Sequence, residues 1–317
     1  DLEVAVHVSA PAQIEKSGTI TVNAKSLYEI IKESQGQEVD VTSLSNERIE
    51  IISGQSEYKL MGLSPKEFPN LPEVEGEFNK VATESFLKVL DKVSFAMSND
   101  ETRYHLNGVL IEKGDVDSVM VATDGHRLAY YKQALDLKNV KPEKVILPKK
   151  GVIELSKLCE KEKAIDLCVT ERHILAKTEK QTLYIRLIDG NFPDYNRVIP
   201  DKNKVEINIP RQEFVGALKR VALMANDRSK GVSLYFCNDS LSISSSNPEL
   251  GEAKEDIELA YKGPVFTIGF NASYFIDVLN VITDEQVIVS FKDELSPCLI
   301  SCNSDPGFKS VIMPMRR

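Results

Sequence analysis

Lys144-Val145-Ile146-Leu147-Pro148-Lys149-Lys150-Gly151-Val152-Ile153-Glu154-Leu155-Ser156 is the stretch whose reading decides the fold. A run of β-formers reaches Pro148 and gives way to apolar residues at helical spacing, Val152, Leu155 and then Cys159. The same passage from strand to helix occurs at Thr19-Ile20-Thr21-Val22-Asn23-Ala24-Lys25-Ser26-Leu27-Tyr28-Glu29-Ile30-Ile31. After a further strand pair each copy arrives at a Phe-Pro turn, Phe68-Pro69-Asn70-Leu71 and, 124 residues on, Phe192-Pro193-Asp194-Tyr195. That period is the size of a domain rather than of a solenoid repeat.

A second correspondence ties the middle of the chain to its end. Thr83 to Val93 (TESFLKVLDKV) resembles Arg211 to Val221 (RQEFVGALKRV), and Val265 to Leu279 (VFTIGFNASYFIDVL) takes the part that Lys144 opens in the copy before. Three copies of one unit are therefore expected, over residues 1–79, 80–204 and 205–317. Asp1 to Val8 alternates like a strand already under way and has no initiator Met, so the first copy is expected to lack its opening helix and strands, about 40 residues. Val39 to Thr42, Arg48 to Ile52 and Tyr58 to Met61 read as strands between turn signals such as Ser53-Gly54. A complete unit carries two helices among about eight strands, an α+β layout.

The bulk numbers exclude several classes. The chain has 317 residues, 42% of them hydrophobic and 27% charged. It shows neither an apolar run of about 18 residues nor a signal-peptide opening, so no membrane association is expected. Five cysteines without a C-x-x-C pair argue against a disulfide framework and for a reducing cytoplasm. The four histidines, His7, His105, His126 and His173, are scattered, and neither a metal nor a cofactor is expected. A net charge of −9 argues against a uniformly nucleic-acid-binding surface but permits a segregated basic stripe.

The helices supply such a stripe. Phe86, Leu90, Val93 and Met97 form one apolar face with Lys88 and Lys92 opposite; Phe214, Leu218, Val221 and Ala225 repeat it with Lys219 and Arg220 opposite. Val152, Leu155 and Cys159 oppose Lys150, Lys157 and Lys161, and Leu27, Ile30 and Ile31 oppose Lys25 and Lys32. The plain alternative is an ordinary solvated face, since Glu29, Asp91 and Glu154 interleave with the lysines. If these helices share one side of a continuous sheet, they would hold nucleic acid by phosphate charge without reading bases.

Thr123-Asp124-Gly125-His126-Arg127-Leu128 invites a catalytic reading through Asp124 and His126, but no nucleophile motif or Gly-rich phosphate loop accompanies it. Asp124-Gly125 is more simply a hairpin turn. Arg103 to Gly108 reads as a strand leading into a turn, with Tyr104 either an ordinary strand aromatic or a residue that stacks on a base. The C-terminus, Val311-Ile312-Met313-Pro314-Met315-Arg316-Arg317, is apolar and methionine-rich, suited either to a core or to an adaptable partner surface.

Together these segments resemble the bacterial sliding clamp family, the DNA polymerase III beta subunit, over the whole chain. The motifs are A-T-D-G-H-R-L-A at Ala122 to Ala129, R-Y-x-L-N-G at Arg103 to Gly108, P-x-K-G-V-I-E-L at Pro148 to Leu155, G-x-F-P-D-Y-x-R-V at Gly190 to Val198, G-F-N-x-S-Y at Gly269 to Tyr274 and M-P-M-R at Met313 to Arg316. The resemblance implies three tandem clamp domains, each two helices packed on antiparallel sheets, forming a crescent-shaped subunit of a head-to-tail homodimeric ring. It implies no enzymatic activity, DNA replication and repair as the setting, a cytoplasmic, nucleoid-associated location, and duplex DNA as a sequence-independent partner. DNA would face Lys25, Lys32, Lys88, Lys92, Tyr104, Lys149, Lys150, Lys157, Lys161, Arg211, Lys219 and Arg220. His105 departs from the family, which often has a second aromatic there.

The resemblance also implies a pocket between the second and third domains for short linear motifs of DNA polymerases, the clamp loader and repair proteins. Its residues would be Arg103, Leu106, Thr123, Gly125, His126, Arg127 and Leu128, then Pro193, Arg197 and Val198, then Asn271 and Tyr274, and finally Val311, Met313, Pro314, Met315 and Arg316. Leu106, Leu128, Val198, Val311 and the methionines would receive apolar anchors, while Arg127 and Arg197 orient the peptide. Leu223 and Met224 are candidates for the subunit interface. Alternatives from other classes are an enzyme using Asp124 and His126, and a monomeric peptide-motif-binding adaptor that does not encircle DNA.

Overall fold

The computed structural model describes residues 3–315 apart from 74, 136, 138–139, 141 and 201–202. Among the described residues there are five α-helices: α1 (Ala24–Glu33), α2 (Thr83–Ser94), α3 (Lys149–Cys159), α4 (Arg211–Val221) and α5 (Ala272–Val281). By contacts the chain forms two compact units, residues 9–73 and residues 1–8 with 74–317. No helix among the described residues is long and apolar enough to cross a membrane.

In the smaller unit, four strands lie in the order Thr21–Val22, Ser56–Leu63, Arg48–Ser53, Asp40–Ser43. Alternation along Arg48–Ser53 buries Ile49 and Ile51, the period-two signature of a half-buried strand. Asn23 caps α1 by accepting a hydrogen bond from the Ser26 amide at 3.0 Å. The expected inward face of this helix is not buried. No α1 residue is buried, and Ile31 remains 43% exposed. In the larger unit each helix packs on a second one, α2 on α3 and α4 on α5. Among the described residues α1 is the single helix longer than one turn in its unit.

Among its described residues the larger unit holds three sheets. Asn79–Ala82, Ala164–Val169, His173–Lys177, Gln181–Arg186 and Val4–Val8 form a five-stranded sheet, with Val4 opposite Ile185 at its edge. This pairing draws residues 4–8 into the larger unit. A four-stranded sheet joins Gly251–Glu258, Ser240–Asn247, Gly231–Cys237 and Phe266–Asn271. The largest sheet has eight strands, in the order Lys144–Pro148, Gly108–Glu112, Ser118–Thr123, Arg127–Gln133, Phe308–Ile312, Cys298–Ser301, Gln286–Phe291, Val205–Pro210. It crosses from the second sequence repeat to the third where Arg127–Gln133 pairs antiparallel with Phe308–Ile312, placing Tyr131 opposite Phe308 and Leu128 opposite Val311.

The helical stripes read from the sequence face this core. Phe86, Leu90 and Val93 of α2 and Phe214, Leu218 and Val221 of α4 are buried, as are Val152, Leu155 and Cys159 of α3. Phe275 of α5 meets Phe214 and Phe270 with ring centroids 5.5 and 5.1 Å apart; each such buried ring contributes about 1.5–3 kcal/mol. Helix α3 settles directly on strands because Gly151 has no Cβ: one built there would lie 2.6 Å from Ile185 Cγ2.

Two local expectations need correction. Glu101–Leu106 is not a strand but a pair of 3-10 turns, and the strand begins only at Gly108. Asp100 is the reason: its carboxylate accepts from the Thr102 amide at 3.0 Å and from Arg103 Nε at 2.9 Å, winding the chain before it can extend. Lys92 does not stand on a solvated face. Its side chain is 9% exposed, its Nζ lies 3.3 Å from Asp305 Oδ2, and it sits 5.1 Å over the Phe308 ring. Tyr131 Oη donates to Asp305 Oδ1 at 2.9 Å, and half-exposed Lys88 approaches Oδ2 at 3.4 Å. One carboxylate from the third repeat thereby gathers two lysines and a tyrosine of the second.

Candidate functional site

A cavity of about 120 Å3 opens at the seam where the second and third repeats share the eight-stranded sheet. Its wall is Leu106, Thr123, Gly125, Arg127, Leu128, Phe192, Pro193, Tyr195, Val198, Val311 and Met313, almost entirely apolar. This volume suits one or two apolar side chains rather than a whole drug-sized molecule, which takes roughly 300–1,000 Å3. Beneath it lies a small core of Leu110, Val121, Leu128, Ile146, Tyr195 and Val311.

Three segments build the site. The first is the hairpin turn between Ser118–Thr123 and Arg127–Gln133. Gly125 adopts φ +89°, a backbone conformation that favours glycine, and a Cβ there would meet an Arg103 terminal nitrogen at 2.7 Å. Thr123 Oγ1 donates to the Arg127 carbonyl at 2.6 Å and accepts from the Gly125 amide at 3.1 Å. Asp124 Oδ1 accepts from the His126 and Arg127 amides at 2.9 and 3.0 Å. Asp124 thus holds the turn's backbone, while the His126 ring stacks on Tyr274, 6.5 Å between centroids, so the geometry does not form the base-and-orienter pair an enzyme would need.

The second segment follows the Gly190 turn. Tyr195 tucks under it, its hydroxyl donating to Glu112 Oε2 at 2.9 Å, and burial pushes the phenol pKa well above its usual value. The third is the chain's end. Val311 pairs with Leu128, the Met313 amide donates to the His126 carbonyl at 2.8 Å, and the Met315 amide donates to the Gly269 carbonyl at 2.8 Å.

Nine of the residues expected in the pocket line the cavity: Leu106, Thr123, Gly125, Arg127, Leu128, Pro193, Val198, Val311 and Met313. His126, Tyr274, Asn271, Pro314 and Met315 are not among its lining residues. Asn271 caps α5 by accepting from the Ser273 amide at 2.8 Å, and Met315 bridges to Gly269. Arg103 backs Gly125, and Arg197 reaches into solvent beside Asp194, 2.9 Å away. Arg316 lies outside the described residues. Phe192 and Tyr195 were missed, although both stand in the Phe-Pro turn that the repeat comparison picks out.

Of the basic residues expected to face DNA, Lys25, Lys32, Lys150, Lys157, Lys161, Lys219 and Arg220 are exposed, as is Tyr104. Several already have acidic neighbours: Lys25 lies 3.9 Å from Glu29, Lys157 2.8 Å from Glu154, and Arg220 makes a two-pronged contact with Glu255 at 2.9 and 2.6 Å. Lys149 donates to Asn99 Oδ1. Arg211 contradicts the expectation. It is partly buried, with its guanidinium donating to the Asp284 and Leu279 carbonyls at 2.8 and 3.2 Å, where it satisfies backbone oxygens at the end of α5. Lys92, bound to Asp305, is likewise withdrawn from the basic set. Leu223 is strongly exposed and Met224 half-buried on the turn after α4, available for contact.

An α+β chain of repeated helix-and-sheet units, with an apolar cavity at the seam of two of them, is a protein built from tandem modules. Its segments match, in order, the DNA polymerase III beta subunit N-terminal domain over residues 1–72, the central domain over 80–194 and the C-terminal domain over 196–316. The beta sliding clamp of Pseudomonas aeruginosa is 35% identical over 301 residues, covering 94% of this chain and 82% of the relative. That of Vibrio cholerae is 32% identical, covering all of this chain and 87% of the relative. Crystal structures agree: the Caulobacter crescentus clamp, solved with polyethylene glycol bound, and the Bartonella birtlesii clamp, solved with griselimycin bound, each superpose with TM-score 0.93 at 34% identity, covering this whole chain and 87% of theirs. The chain belongs to the beta sliding clamp family, the non-catalytic beta subunit of DNA polymerase III.

Proposed function

We propose that this chain acts in DNA replication as a processivity factor, encircling duplex DNA in a head-to-tail homodimeric ring and tethering polymerases, the clamp loader and repair proteins through the cavity at the Leu128–Val311 seam. The modules would be residues 1–79, 80–204 and 205–317. The observation that carries the reading is the cavity itself: an apolar, side-chain-sized recess lined in part by Val311 of the strand that pairs with Leu128. Leu106, Leu128, Val198, Val311 and Met313 would take the anchors, and Phe192 and Tyr195 join them as floor and rim.

A ring needs no chemistry and no tight grip. It leaves DNA only by opening, so weak phosphate contacts from exposed residues such as Lys150, Lys161 and Lys219, screened beyond about 10 Å at 0.1 M salt, permit sliding. A tethered polymerase then meets the primer end at high effective concentration. The exposed surface after α4 around Leu223 supports a subunit contact there.

The experiment loads the chain onto circular and linear DNA in parallel, and titrates it with griselimycin before and after deletion of Met313 to Arg317. Retention on circles with run-off from linear ends, and loss of ligand binding on deletion, are expected. Equal retention on both forms overturns encirclement; unchanged ligand affinity overturns the pocket.

A further inference from the structure

Arg127 is fixed from every side. Its Nε donates to Asp124 Oδ2 at 3.1 Å, one terminal nitrogen to Asp277 Oδ2 at 2.5 Å and the other to the Phe95 carbonyl at 2.7 Å. The Tyr274 and Phe95 rings lie 4.7 and 5.4 Å from its central carbon, and the side chain is 11% exposed. Guanidinium geometry makes such multiple contacts directional rather than merely attractive.

Two consequences follow from this arrangement. With two carboxylates against one guanidinium, Arg127 offers no surplus positive charge to an incoming ligand, so it does not serve as a counter-ion for a bound peptide. It works instead as a strut. Asp124 belongs to the hairpin turn, Phe95 to the end of α2, and Asp277 with Tyr274 to α5 of the third repeat. Arg127 is also among the residues that line the cavity, next to Leu128 on its strand. Wall and helix are thus joined through one residue, and Asp277 anchors its side chain on the far side of the seam.

We propose that Asp277 is a positioning residue for the pocket: by holding Arg127 across the seam it sets the shape of the cavity wall and therefore the affinity for ligand, although it does not itself line the cavity. The inference rests on the pocket being the ligand site. Asp277 is 40% exposed, and a partly exposed ion pair kept only for stability would move the unfolding temperature slightly and leave binding alone. A strut predicts the opposite pattern.

The test measures griselimycin affinity and melting temperature on the full chain for wild type, Asp277→Asn, Asp277→Ala and Asp277→Glu. Affinity is expected to fall roughly three- to tenfold in Asp277→Asn and Asp277→Ala, and to recover in large part in Asp277→Glu, which restores the carboxylate. Melting temperature should shift by only a few degrees. Unchanged affinity in both Asp277→Asn and Asp277→Ala, or a loss that tracks unfolding at the assay temperature, overturns the proposal. Deletion of Met313 to Arg317, run alongside, separates the two ideas. If that deletion abolishes binding while Asp277→Asn binds like wild type, the pocket reading stands and the strut falls; if the deletion leaves binding intact, the pocket reading itself falls.

Discussion

Replacing Asp305 by alanine removes the carboxylate on which Lys92, Lys88 and Tyr131 converge, and the structure sets the size of the effect. Lys92 is 9% exposed with Nζ 3.3 Å from Asp305 Oδ2, so the variant leaves a buried ammonium without its partner, a change that costs about 3–5 kcal/mol. The Tyr131 hydroxyl loses its acceptor, worth about another 1–3 kcal/mol where water does not replace it. Lys88 adds little, because its side chain is half exposed and turns to solvent. Lys92 keeps the Phe308 ring 5.1 Å away in both proteins, so that cation–π contact leaves the difference unchanged. The net expectation is a loss of at least about 4 kcal/mol. Replacing Lys92 by methionine instead removes the buried charge and keeps the volume, so it should cost no more than about 1 kcal/mol. In the Asp305→Ala background it should restore stability. Urea unfolding followed by circular dichroism reads all three variants. A loss below about 1 kcal/mol for Asp305→Ala, or no recovery on adding Lys92→Met, refutes the idea that an uncompensated buried charge dominates this joint.

Two further outcomes follow from the site. Gly125→Ala places a Cβ at φ +89° and against the Arg103 guanidinium, so the hairpin turn should lose about 1–2 kcal/mol and ligand affinity should drop with it; an unaltered affinity measured by titration would show that the turn conformation is not required. Asp100, bonded first by the Thr102 hydroxyl and then by Arg103, is held at a pKa of about 2. Because its folded pKa is depressed, the winding of Glu101–Leu106 should be fully held above the ordinary aspartate value of about 3.9 and loosen as pH falls through about 2. Carboxyl-resolved NMR titration should place the midpoint there and show it rising in Thr102→Ala; an ordinary midpoint in wild type contradicts the assignment.

The helices were legible because their stripes are local: Phe86, Leu90 and Val93 follow one another at helical spacing whatever surrounds them. What lies on the opposite face was not. Lys92 and Arg211 occupy outward positions on their own helices, but a loop from residue 305 covers the first and the end of α5 draws in the second, contacts made across 213 and 73 residues of sequence respectively. The Arg103–Gly108 stretch misled for a smaller reason, a single Asp100 side chain that winds the backbone. The pocket's rim was readable from the motifs at Thr123–Leu128 and the C-terminus. Phe192 and Tyr195 carried a signal, their place in the repeated turn, whereas Asp277 carried none, since its role exists only once α5 stands beside Arg127.

The eight-stranded sheet bears on how this chain can be divided. A cut at residue 204, where the sequence repeat suggests a border, would part Arg127–Gln133 from Phe308–Ile312 and leave each fragment with a raw strand flank. Exposed flanks of that kind recruit other chains, so either fragment prepared alone should clump, and the two should prefer each other when mixed. Splitting this protein into soluble halves therefore calls for new polar side chains along Leu128, Tyr130 and Val311, not merely for a well-chosen terminus.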